Sequence, residues 1–257
     1  MGICTNATCI EQYHLEALEK LDGIHLNVSL DGFSEKSHGA FRGNKKSFVR
    51  TIETIKVLAK KRLLKGLLVT PNNLAESDEY TKLCNFAVEN EAGYVLMNPL
   101  SPMGRGVKSI HRLAASSETM QRIKKETSQF SDKINLVHIR FPNNERLPLN
   151  SCEAGNIIYI FTPGEVTVCP YLVFAANTPQ SIYSPEEFIV GNIFEHKNIA
   201  ERLDTYKLRE KFSLGGNSAC GNCCLKSNCG KGCPAAIIAS GKKIEDVDEE
   251  ICPIVNQ

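Results

Sequence analysis

The 257 residues lack any strong imbalance of charge: the formal net charge is +1. No long-range pull toward nucleic acid or an anionic membrane is implied. No run of eighteen apolar residues occurs, which argues against a transmembrane helix. The chain does not open on a basic segment followed by a long apolar run, so no signal peptide is expected. Gly104-Arg105-Gly106 has neither the Lys-Ser/Thr nor the further glycines of a phosphate-binding loop. The six histidines show no H-x-x-x-H spacing, and no nucleophile–histidine–acid set can be argued from spacing. Hydrophobic content of 42% and charged content of 23% describe an ordinary soluble chain, large enough for one or two domains.

What the sequence has in excess is cysteine, eleven in all. Five fall at the end as Cys220-x2-Cys223-x5-Cys229-x3-Cys233-Pro234, then eighteen residues, then Cys252. A second block consists of Cys152, Gly164 after eleven residues, and Cys169 after four more. Disulfides belong mainly to small secreted chains, and the total is odd. Zinc is served by C-x2-C half-sites, but seven thiols do not divide into Cys4 sites. Iron–sulfur clusters suit soft thiolates, and the run is of the ferredoxin kind with a longer middle spacing. Seven thiols serve two cubanes if one position is left open. Iron–sulfur is the leading reading, with zinc and disulfide as alternatives. Reduced thiols point to a cytoplasmic location.

The periodicity alternates strand and helix. Short apolar strands are expected within residues 1–10, at 24–30, 63–70, 94–98 and 136–140, the second buried on both sides. Helices are expected at 11–21, around Phe48 to Leu58, around Tyr80 to Val88 and around Met120 to Phe130. This is βα architecture with parallel pairing, half a barrel or a small open sheet. Its functional groups belong on the loops after the strands, which carry Ser29, Asp31, Arg42, Thr70, Asn72 and Arg105. Asp31 is expected to cap a turn, and His25 and His38 to be core or solvent. A composition change places a boundary between 141 and 151, dividing 1–145 from 146–257. Beyond it, 157–161 and 166–169 read as a hairpin around Gly164, able to bring Cys152 and Cys169 together. Residues 173–197 read as mainly loop with a turn at 190–194, 198–212 as one helix, and 234–240 as a short helix. Cys4, Cys9 and Cys84 read as core or surface thiols.

Cys152-x11-Gly164-x4-Cys169, Cys220-x2-Cys223-x5-Cys229-x3-Cys233 and Cys252 together resemble the seven-cysteine motif of the SPASM domain, the auxiliary-cluster extension of radical SAM enzymes that modify peptides and proteins. Thr5-Asn6, Ser29-Leu30-Asp31-Gly32 and Arg42-Gly43 resemble segments of the later part of the radical SAM barrel. The resemblance covers nearly the whole chain. It implies an α/β fold: the C-terminal part of a (β/α)6 barrel, then a small SPASM domain with a β-hairpin and a Cys-rich segment. It implies two [4Fe–4S] clusters, an outer one on Cys220, Cys223, Cys229 and Cys252 and an inner one on Cys152, Cys169 and Cys233 with a fourth position open or otherwise filled. Cys224 is a spare thiol. Ser29 and Arg42 resemble residues that hold S-adenosylmethionine, and Thr70 and Asn72 would line its adenosine pocket.

The sequence departs from that family in one respect. The C-x3-C-x2-C that holds the S-adenosylmethionine cluster is absent, and Cys4-x4-Cys9 does not replace it. The expectation is a fragment or partner subunit of a peptide- or protein-modifying radical SAM enzyme, inactive alone. S-adenosylmethionine would bind only if the missing N-terminal segment were supplied, with a subunit carrying the other barrel half as one source. The expected partner is a peptide or protein substrate, as in ribosomal-peptide or sulfatase maturation, with no nucleic acid and no membrane. The alternative is a non-catalytic two-cluster electron-transfer or peptide-binding protein.

Overall fold

The structure, a computed structural model, describes residues 1–255. The chain divides into two compact units: Met1–Leu100 with Ser109–Pro142, and Ser101–Lys108 with the chain from Asn143 onward. No helix among the described residues is long and apolar enough to cross a membrane.

The first unit is a parallel sheet with helical crossovers. Its strands are β1 (Gly2–Thr5), β2 (His25–Ser29), β3 (Leu64–Val69), β4 (Tyr94–Met97) and β5 (Asn135–His138), in the spatial order of the sequence. Every neighbouring pair is parallel. Between them run α1 (Gln12–Glu19), α2 (Ser47–Lys60), α3 (Ser77–Glu89), the short α4 (Ile110–Leu113) and α5 (Ser117–Thr127). Parallel neighbours need crossovers, and right-handed crossovers in sequential order put every helix on one face.

The burial pattern follows from that arrangement. Val28, Leu67 and Val95 stand in register on one face and pack with Ile55, Leu83 and Ile123 of the helices. Asn27, Ser29, Leu68, Tyr94 and Leu96, on the other face, are half-buried. The expectation that β2 is buried on both sides is therefore corrected. Leu26 and Val28 are buried, while His25, Asn27 and Ser29 are only partly so. Parallel strands usually carry helices on both faces; here the helices lie on one.

On that second face Cys4, Asn27, Gly66 and Tyr94 form one register row across four strands. A Cβ on Gly66 would meet the Tyr94 ring at 2.7 Å, so the ring lies where a side chain would otherwise stand. The Tyr94 hydroxyl donates to Asn27 Oδ1 at 2.7 Å.

The second unit contains β6 (Tyr159–Ile160), β7 (Glu165–Thr167) and β8 (Ile189–Asn192), paired antiparallel in that order. Residues 173–197 are mainly outside helix and strand, as expected, but the 190–194 turn is corrected. They contribute the end of α6 (Pro170–Ala176) and all of β8. Pro170 starts α6 because its fixed φ suits the first helical position. Val190 and Gly191 extend because β7 supplies a ladder partner.

Residues 198–212 are not one helix. They form α7 (Ile199–Thr205) and α8 (Leu208–Lys211). Tyr206 breaks the run in an extended conformation, its hydroxyl donating to Glu187 O at 3.0 Å, while Leu208 turns into the core. The unit is completed by α9 (Ser218–Gly221) and α10 (Pro234–Ala239), the latter packed on α6. Gly164, in the β6–β7 connection, takes φ 93°, and a Cβ there would meet Phe194 Cδ2 at 2.4 Å.

Candidate functional site

Two sets of residues converge, one in each unit. In the first, the strand-end loops meet at Asp31. This side chain is only 1% exposed. Arg42 Nε donates to Asp31 Oδ2 at 2.6 Å, and the Thr70 amide donates to Oδ1 at 3.0 Å. Asn72, fully buried, donates through Nδ2 to the carbonyls of Asp31 at 2.7 Å and Thr70 at 2.9 Å. Its own amide donates to Tyr80 Oη at 2.9 Å. The Asp31 amide donates to His38 Nδ1 at 3.0 Å.

Three of the four proposed cosubstrate contacts, Arg42, Thr70 and Asn72, are therefore joined through Asp31. Ser29, half-buried at the end of β2, is outside this network. The expectation that Asp31 caps a turn is corrected: its carboxylate links the loops after β2 and β3. Sequence reasoning assigned it too small a part because its partners are 11 and 39 residues away.

The electrostatics follow from burial. Desolvation raises the Asp31 pKa, while Arg42 and the Thr70 bonds pull it back. Burial, with the Arg42 charge adding to it, lowers the His38 pKa to about 4. His38 is thus neutral near pH 7, with Nδ1 free to accept. It sits in a π-helical turn, Glu35–Gly39, whose start is capped by Ser34 accepting from the Ser37 amide. Burial raises the Tyr80 hydroxyl well above its usual value, so it stays protonated.

In the second unit, four of the expected outer ligands line one small cavity. Cys220 comes from α9, Cys223 and Cys229 from the loop after it, and Cys252 from the turn near the end of the described chain. Leu225, Val247 and Ile254 supply apolar walls, and Lys231 lies among them. The Leu225 amide donates to Cys223 Sγ at 3.4 Å. Cys224 is exposed and not among the lining residues.

The other three cysteines are also neighbours. Cys169 and Cys233 each cap the start of a short helix that begins with proline, α6 and α10. Burial, and then the charges of Cys152 and Cys233, raise the Cys169 thiol. The Ala154 amide donates to Cys152 Sγ at 3.4 Å. Asp248, 4% exposed, accepts from the Cys233 amide at 2.9 Å. The repeated Cys-Pro pair was a sequence signal for this pairing of helix starts that spacing alone did not use.

A glycine makes the loop fit. A Cβ on Gly230 would stand 2.1 Å from Asn150 O, and the Gly230 amide donates to Leu149 O at 2.7 Å. The segment leading to Cys152 is thereby tied to the loop that carries Cys229 and Cys233.

Among the described residues, no three His, Cys, Asp or Glu side chains are drawn to metal-holding distance. The donor chemistry of the outer set still fits a thiolate-ligated centre: four soft ligands, apolar walls and an amide pointing at sulfur. Cys4 and Cys9 are exposed. Cys84 is fully buried, and burial raises its thiol to about 12. Arg105 lies exposed in a 3-10 turn, Gly104–Lys108.

No family profile matches the chain. Mycofactocin maturase MftC of Mycobacterium tuberculosis is 24% identical over 260 residues, which cover 96% of this chain and 62% of that protein. AlbA of Bacillus subtilis, an antilisterial bacteriocin subtilosin biosynthesis protein, is 25% identical over 248 residues, covering 88% and 50%. Among solved structures, Streptococcus suis SuiB bound to its precursor peptide SuiA superposes with a TM-score of 0.68 at 18% identity, over 97% of this chain and 58% of that one. The chain is homologous to radical SAM/SPASM peptide maturases. Native anSMEcpe with bound AdoMet has the same fold, with a TM-score of 0.65 at 14% identity. The chain spans about three-fifths of the length of the MftC proteins it matches. Its α/β architecture resembles that of the radical SAM/SPASM structures it superposes on.

Proposed function

We propose that this chain is the cluster-bearing part of a radical SAM/SPASM enzyme that modifies a peptide or protein. It would act as a fragment or partner subunit within a larger radical SAM assembly. The observation that carries the reading is the convergence of Cys220, Cys223, Cys229 and Cys252, drawn from three stretches of chain, on one cavity. In this reading they hold an outer [4Fe–4S] cluster. Cys152, Cys169 and Cys233 hold an inner one, whose fourth position is open or filled by another group. Domains 1–145 and 146–257 correspond to the later part of the barrel and the SPASM domain.

When bound, S-adenosylmethionine would supply the hydrogen-abstracting chemistry of such an enzyme. The part of this chain is to position it. Asp31 holds Nε of Arg42, which leaves the η nitrogens for an α-carboxylate, a match in which guanidinium geometry is favourable. Ser29 would add a hydroxyl on the open face of the sheet, and Thr70 and Asn72 would line the adenosine pocket. The 257 residues contain no C-x3-C-x2-C, so the thiols of that cluster would come from another segment or another polypeptide. A peptide substrate is the proposed partner, supported by the likeness to SuiB, solved with its precursor peptide SuiA.

Anaerobic reconstitution followed by iron, sulfide and zinc analysis tests the reading. Two cubanes give about eight irons per chain. About twelve would show a third cluster and overturn the need for outside thiols. Stoichiometric zinc without sulfide would overturn both clusters. Incubation of this chain alone with S-adenosylmethionine and a strong reductant should give no 5′-deoxyadenosine, and robust turnover would refute that part.

A further inference from the structure

Lys231 is held in a conformation that its residue type disfavours. It lies in Cys229-Gly230-Lys231-Gly232-Cys233 with φ 68°, the left-handed region that glycine enters freely and lysine does not. A third glycine would relieve the backbone. The lysine side chain is accommodated instead. Its stem lies against Gly215, where a Cβ would come within 2.8 Å of Lys231 Cγ and Cδ. It is half-buried and lines the same cavity as Cys220, Cys223, Cys229 and Cys252. Its Nζ donates to Lys226 O at 2.9 Å, a carbonyl midway between Cys223 and Cys229. The cation is therefore fixed beside the loop that carries two of the four thiols.

We propose that Lys231 raises the reduction potential of the outer cluster. This rests on the two-cluster reading above. Adding one electron to a thiolate-bound cluster increases its negative charge. A fixed cation nearby favours the reduced form and raises the potential. The inner set has its own charged neighbours on other elements: Arg209 donates to Cys152 O at 3.0 Å, and Asp248 accepts from the Cys233 amide at 2.9 Å. Lys226 serves as a comparison. Its Nζ bonds to Gly221 O at 3.0 Å, but the residue is exposed and does not line the cavity, so solvent screens it.

The test is an EPR-monitored redox titration of the reconstituted full chain and of its Lys231→Gln, Lys231→Arg and Lys226→Gln variants. The outer couple is assigned by its loss in Cys223→Ala. Lys231→Gln should lower that couple, shifting the reduced-to-oxidised ratio at a fixed ambient potential by about tenfold, or 59 mV for one electron. Lys231→Arg should restore it, Lys226→Gln should move it less, and the inner couple should stay in place. An unmoved outer couple would overturn the inference, as would equal shifts in both couples. So would loss of the outer iron in Lys231→Gln, which would make the lysine a structural brace. A wild-type chain that takes up no iron and sulfide would overturn the two-cluster reading itself, and this inference with it.

Discussion

Replacing Asp31 by alanine removes two acceptors from the place where the strand-end loops meet. The bond from Arg42 is charge-assisted, a class worth about 1.5–3 kcal/mol. The Arg42 side chain is 32% exposed, so water takes over part of that role and about 1 kcal/mol remains. The Thr70 amide loses Oδ1, at a further cost of about 1 kcal/mol for a part-buried donor. The bonds made by the Asp31 backbone, to His38 and from Asn72, survive the substitution. Relief of carboxylate burial offsets some of the loss, since burial is the leading influence on this group. The expected net destabilisation of the first unit is therefore below that sum, between about 1 and 2 kcal/mol. Asp31→Asn keeps an oxygen for Thr70 and loses only the Arg42 bond, so it should cost about half as much. Urea unfolding measures both variants, with hydrogen exchange at the Thr70 and Asn72 amides reporting on the site directly. Equal behaviour of Ala and Asn would refute the role given to Thr70, and wild-type stability in both would refute the hub.

Acid should weaken the same unit. His38 is lowered to about 4 from 6.5, so its contribution is complete above pH 6.5 and is lost as pH falls from there through about 4. The full loss is on the order of 3 kcal/mol. Asp31, raised by burial, works in the opposite direction as it protonates. Urea midpoints between pH 7.5 and 5 should fall in wild type and flatten in His38→Gln; a flat wild-type profile contradicts this. Gly230→Ala should push Asn150 away from the Cys-rich loop and lower cluster content on reconstitution, because its Cβ would meet backbone; unchanged iron would show that the approach is not needed. Alkylation of the native chain should spare Cys84, buried and raised to about 12, while labelling the exposed Cys4, Cys9 and Cys224. Mass spectrometry of the digest reads the outcome, and rapid labelling of Cys84 would refute its burial.

The strands of the first unit were legible because Leu26, Val28, Leu67, Val69, Val95 and Met97 are apolar residues in short runs. The one-sided burial of β2 was not, because Leu, Val and Ser occur on either kind of strand and only the placement of the helices decides. In the second unit, Val190-Gly191-Asn192 carries turn residues, yet pairing with β7 outweighs local preference. Pro170 opens a helix, a position its fixed φ suits. The motif cysteines could be picked out one by one from spacing. The meeting of Arg42, Thr70 and Asn72 at Asp31 could not, since it exists only once β2 and β3 lie side by side.

The Tyr94 ring, lying over Gly66 and bonded to Asn27, also bears on how the sheet finds its alignment. Parallel ladders are made of evenly spaced bonds and do not by themselves distinguish one offset from the next. A slip of one residue between β3 and β4 would turn Tyr94 to the helix-covered face and set it against Leu67 or Lys65 instead of the gap at Gly66. The bulky ring and the missing side chain thus act as a key and its slot across three strands. They admit one offset and reject its neighbours before the helices have closed over the other side.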